Sequence, residues 1–73
     1  MRRMEVIKRI VEILKAARNG QLPIEADLLW IKSQLEEWHF LTDEIAIELD
    51  VTFNQLQDEI NRYAMHMKVA GLA

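Results

Sequence analysis

His39 and His66 are the residues of this 73-residue chain best suited to bind a metal or carry a proton near neutral pH, and they stand 27 positions apart. With no cysteine and no His-x-x-x-His pair, a metal site would have to recruit distant carboxylates, and their spacing advertises none. Ser33 is the only serine, and two glycines cannot build a loop that cradles phosphates. The twelve carboxylates fall at helix starts and on polar faces, where they serve as caps and solvated surface more readily than as a paired acid and base. These residues predict no catalysis, no metal, no cofactor and no small-molecule substrate. The chemistry left to the chain is recognition of a macromolecule.

Two groups of side chains could do that. Asn54, Gln57, Asn61 and Arg62 recur at helical spacing, and amide and guanidinium groups on one helix face can pair with base edges in a DNA groove. The plainer alternative is that they solvate that side. Asp43, Glu44, Glu48, Asp50, Asp58 and Glu59 lie around them. An acidic field repels a polyanion whatever its sequence, removing the contribution that usually dominates affinity for nucleic acid. A duplex is therefore the disfavoured ligand.

The second group is basic: Arg2, Arg3, Lys8, Arg9, Lys15 and Arg18, which suit docking on an acidic patch of a protein. Residues 1–20 hold six cations against two acids, a net of plus four, while residues 21–73 hold three against ten, minus seven, so the overall minus three conceals a split. Glu5 and Glu12 stand among these cations at i, i+3 and i, i+4 spacings, which would equally let the face neutralise itself. Arg2 and Arg3 oppose the dipole at a helix N-terminus, each at about 0.3–1 kcal/mol, a cost that a partner or fraying would relieve.

Four helices are needed to position these groups. Val6, Ile7, Ile10, Ile13, Leu14 and Ala17 form one stripe over Arg3 to Arg18, and Asn19-Gly20 supplies a left-handed stop. Pro23 fits just inside the next helix, where Leu28, Ile31, Leu35 and Trp38 repeat to about His39. Leu41-Thr42-Asp43-Glu44 reads as a cap and two acids opening a short third helix that ends near Asp50. Thr52 and Gln55 form a capping box with Val51 and Leu56 at the staple positions. The last helix then carries Phe53, Leu56, Ile60, Tyr63, Ala64 and Met67 on one arc, to about Ala70 before Gly71. Leu29, Trp30, Met65 and Val69 fall off these stripes and predict either a second core seam or a protein interface.

From Thr42 to Ile60 the pattern of Ile45-Ala46, Leu49, Val51-Thr52, Leu56 and Ile60 resembles the helix-turn-helix of bacterial and phage transcription regulators. Ala46 is small where the second helix would cross, Leu49 and Val51 would plug the angle, and Leu56 and Ile60 would seat one helix on the other. Such families commonly place glycine in the turn; here it is Asp50, which tolerates the left-handed conformation. The expected fold is all-α: a small three- to four-helix bundle, one domain over residues 1–73, with a helix-turn-helix from Thr42 to about Ala70 and no wing. Folds of this kind serve both DNA readers and modules that touch only protein, so the site must decide.

A chain this small buries only about 60% of its unfolded surface and needs good apolar packing, which its 51% hydrophobic content supplies. The lack of cysteine fits a reducing compartment. Glu5, Lys8, Arg9, Glu12 and Lys15 interrupt any signal-peptide core, and no stretch approaches a membrane span, so the cytoplasm is expected. In length, helical make-up and charge split the chain is also similar to small phage regulators that bind bacterial RNA polymerase, inhibiting initiation and opposing termination. That resemblance implies the polymerase as protein partner and the basic N-terminal residues as the contact. The alternatives are a DNA-binding repressor that reads with its last helix and a structural or assembly protein with an apolar seam.

Overall fold

The computed structural model describes residues 2–67, with Met67 described in its backbone alone. Four helices follow in order: α1 (Arg3–Arg18), α2 (Glu25–Glu37), α3 (Leu41–Leu49) and α4 (Phe53–Met67). The expected continuation to Ala70 and the stop at Gly71 lie outside the described residues.

α1 begins without a side-chain cap, its first turn closed by the Val6 amide donating to the Arg2 carbonyl at 3.0 Å. It ends as expected at a left-handed glycine. Gly20 has φ 97°, the Gly20 amide donates to Ala17 O and the Gln21 amide to Ala16 O, a paired arrangement that satisfies the last carbonyls. No atom lies within 4 Å of where a Cβ on Gly20 would stand, so backbone conformation and not space is what requires glycine there.

α2 departs from the sequence reading at both ends. Pro23 is buried in the connection before the helix, and Ile24, not a residue before Pro23, is the cap. The helix stops at Glu37, so Trp38 leaves the Leu28–Ile31–Leu35 seam and is 42% exposed. The chain tightens through Trp38–Phe40, where the Leu41 amide donates to the Trp38 carbonyl at 3.0 Å. α3 then starts two residues earlier than expected. Thr42 is no cap but a buried residue of the helix, and the cap position falls to Phe40 with no side-chain bond.

The helix-turn-helix is α3, residues 50–52 and α4. Asp50 is left-handed (φ 55°, ψ 49°); its amide donates to Ile47 O and the Val51 amide to Ala46 O, so an aspartate completes the turn that glycine completes after α1. The capping box is formed in both directions, Thr52 N to Gln55 Oε1 at 2.9 Å and Gln55 N to Thr52 Oγ1 at 3.1 Å. Ile10, Leu14, Ile31, Leu41, Ile45 and Leu56 are fully buried and draw all four helices onto one core, while the equally buried Leu28 packs with Ala64 in a smaller cluster that Tyr63 joins to the first; each such large side chain contributes about 1.5–3 kcal/mol. Ala46 and Ile60 are buried as the helix-turn-helix pattern requires. Phe53, expected on the buried arc of α4, is 48% exposed at its first turn. No helix among the described residues is long and apolar enough to cross a membrane.

Candidate functional site

The four polar residues of α4 do not form one reading face. Gln57 and Asn61 are half-buried and turn toward α2, lining an open groove of about 470 Å³ with Leu35, His39, Phe53 and Ile60. Arg62 lines a different hollow with Arg18, Gln55, Asp58 and Tyr63. Asn54 is exposed, and the outermost part of the helix also carries the exposed Asp58 and Met65.

Half of the six basic residues are occupied within the chain, each arginine of α1 by a different helix. Arg3 pairs with Glu44 of α3 at 3.3 Å, and its guanidinium stands 5.2 Å over the Phe40 ring. Arg9 reaches Asp27 of α2 at 4.0 Å and stacks 5.3 Å from the centre of Trp30. Arg18 grips Glu59 of α4 with both arms, Nε to Oε2 at 3.0 Å and Nη2 to Oε1 at 2.8 Å. These pairs replace the self-neutralisation with Glu5 and Glu12 that spacing along one helix suggested. Among the described residues, Arg2, Lys8 and Lys15 have no ion-pair partner and are exposed.

Glu59 was expected in the acidic field around α4. It is instead 5% exposed and accepts a third bond, from the Tyr63 hydroxyl at 2.7 Å. Burial alone would push its carboxyl up, but the hydrogen bonds from Arg18 and Tyr63 and the charge of Arg18 outweigh burial and hold it below the ordinary carboxylate range. Burial and that same bond push the Tyr63 phenol up to about 12. This cluster ties α1 to α4. Asp43, Glu48, Asp50 and Asp58 remain exposed around the corner, with Glu44 partly so, and they keep the field there negative.

The structure also brings together an edge that the sequence reading did not assemble. Trp38 and Phe40, each 42% exposed, meet edge to face at 5.8 Å, and Arg3 lies over Phe40. A tryptophan and a phenylalanine two apart in a helix-free connection were the available signal; the helical stripe ending on Trp38 obscured it. Of the off-stripe residues, Trp30 is half-buried against the core, whereas Leu29 and Met65 are 42% and 65% exposed; Val69 lies outside the described residues.

The Ser33 hydroxyl donates to the Trp30 carbonyl at 2.8 Å, and no group of histidine and carboxylate side chains among the described residues could hold a metal ion. What the surface can do is bind: through an aromatic and arginine edge, through a groove floored by Leu35 and Ile60, and through an α1 face of mixed charge. No protein-family model, curated protein or solved structure matches the chain.

Proposed function

We propose that the chain is a non-enzymatic, protein-binding regulator that uses its helix-turn-helix as a scaffold, with the bacterial transcription machinery, RNA polymerase first, as its target. The observation that carries the reading is the exposed edge of Trp38, Phe40 and Arg3. Tryptophan, phenylalanine and arginine are the residue types that concentrate at the centres of protein interfaces, where a few side chains supply most of the affinity. The negative field around α4 supports the same reading, because it withholds the phosphate attraction on which duplex binding depends. Of the basic residues, Arg2, Lys8 and Lys15 remain available for an acidic rim on the partner. A grip on the polymerase would inhibit initiation or oppose termination.

The test is a titration of labelled chain with purified bacterial RNA polymerase and, separately, with random duplex DNA at low salt. Saturable binding to the polymerase is expected, lost in Trp38→Ala and Phe40→Ala while the thermal midpoint stays nearly unchanged. Saturable duplex binding that Asn54→Ala and Asn61→Ala abolish would overturn the proposal in favour of a DNA-binding repressor.

A further inference from the structure

The outward stripe of α1 reads, from its start, Glu5, Lys8, Glu12, Lys15. All four side chains are exposed, and among the described residues none is held by an ion pair, although Lys8 and Glu12 stand at the spacing that would allow one. The arginines of the same helix, by contrast, are each drawn to an acid on a neighbouring helix. The stripe itself lines an open groove of about 570 Å³, together with Met4, Ile7 and Val11 on its apolar side and Glu48 of α3 at its edge. Met4 is 70% exposed.

The signs alternate about a centre. Residue numbers 5 and 15, and 8 and 12, are symmetric about 10, which lies within half a residue of the middle of Arg3–Arg18. We propose that this face is the seat of a second copy of the chain, the two α1 helices lying antiparallel about a two-fold axis at the level of residue 10.

In that register Glu5 faces Lys15 and Lys8 faces Glu12, and the two-fold repeats each pair, so no like charges of the stripe oppose one another. The overlap uses nearly the whole helix, roughly 22 Å at 1.5 Å per residue. A parallel arrangement would set Glu5 on Glu5 and Lys8 on Lys8, so the pattern selects the antiparallel one. Exposed ion pairs are individually weak, and the dimer they specify is correspondingly a weak, salt-sensitive one. Trp38 and Phe40, which carry the polymerase reading, take no part in it, whereas Lys8 and Lys15 serve one contact at a time; Trp38→Ala, which leaves self-association unchanged, separates the failure of one reading from that of the other.

Sedimentation of the full chain over a concentration series, at low and high salt, reads the dimer directly. Dimerisation at low salt that weakens at high salt is expected. Lys8→Glu with Lys15→Glu makes the stripe wholly acidic, and Glu5→Lys with Glu12→Lys makes it wholly basic. Each double variant should associate with itself at least about tenfold less tightly than the unsubstituted chain, by loss of four pairs and gain of repulsion. An equimolar mixture of the two should recover association. Circular dichroism checks that each is folded; should either fail, Lys8→Glu mixed with Glu12→Lys poses the same question with one exchange per chain. A chain that stays monomeric at low salt up to its solubility limit, a dimer indifferent to both double variants, or a mixture of folded variants that does not associate would each overturn the proposal.

Discussion

Replacing Arg18 with alanine removes two charge-assisted bonds from a carboxylate that is 5% exposed. Each such bond is worth about 1.5–3 kcal/mol, an upper bound of roughly 3–6 kcal/mol for the pair. Solvent lowers it, because the Arg18 side chain is 38% exposed, and screening of that order takes about half. The Tyr63 hydroxyl remains to satisfy one oxygen of Glu59. The expected loss is about 1.5–3 kcal/mol, a large share of the roughly 4–11 kcal/mol that 73 residues command. Thermal unfolding should drop by roughly 6–24 °C. Arg18→Lys, which cannot offer the two-armed fork, should fall between. In a Glu59→Leu background the cost of Arg18→Ala should nearly vanish, since no buried charge is left alone. The pH dependence has a definite sign: the Glu59 carboxyl titrates below its unfolded value of about 4.3. The contribution is therefore complete above that value and is lost as pH falls through the folded one, and the gap between the two chains narrows in acid. An Arg18→Ala cost under about 0.5 kcal/mol at neutral pH, or one unchanged in the Glu59→Leu background, would refute the argument that this pair locks α1 to α4.

Two further outcomes follow from local geometry. Tyr63 is the only tyrosine, so absorbance near the phenolate band reads one group; it should titrate at about 12, with the stabilisation it carries complete below about 10 and lost as pH rises through the folded value. Thr52→Ala should cost about 1 kcal/mol in chemical denaturation, and Gln55→Ala should add less in that background than alone, because the two bonds of the capping box are reciprocal.

What the sequence reveals here is what is decided within a turn or two of chain. Thr52 and Gln55 are three residues apart, Gly20 acts on the four residues before it, and the apolar spacing of α1 and α4 repeats every turn. Interactions between helices are another matter. Arg18 and Glu59 are 41 residues apart, and nothing in the neighbourhood of either distinguishes a solvated charge from a paired one. Trp38 shows the limit of periodicity itself, since an apolar residue in phase with a helix continues the stripe on paper whether or not the helix has already ended. Thr42 fails for a related reason: a threonine before two acids has the composition of a cap, and only the packing of Leu41 and Ile45 beneath it reveals that the helix has already begun. The candidate site was the least legible part, because Arg3, Trp38 and Phe40 come from two separated segments and none of them belongs to a motif.

The charge split between the halves of the chain bears on function through this same pairing. A basic first helix ahead of three acidic ones invites a search for an external polyanion or polycation, yet α3, α2 and α4 supply the partners of Arg3, Arg9 and Arg18 in turn. The asymmetry is in good part the means by which α1 is oriented on the other three. Once those pairs are set aside, α1 and the Arg2 that precedes it present Arg2, Lys8 and Lys15 against Glu5 and Glu12, a net of plus one spread along the helix. A surface so nearly neutral neither draws in a phosphate backbone nor repels a second protein. On the protein-binding reading proposed above, affinity comes chiefly from contact, and the side chains best able to provide it are the aromatic pair at Trp38 and Phe40, with Arg3 over the Phe40 ring.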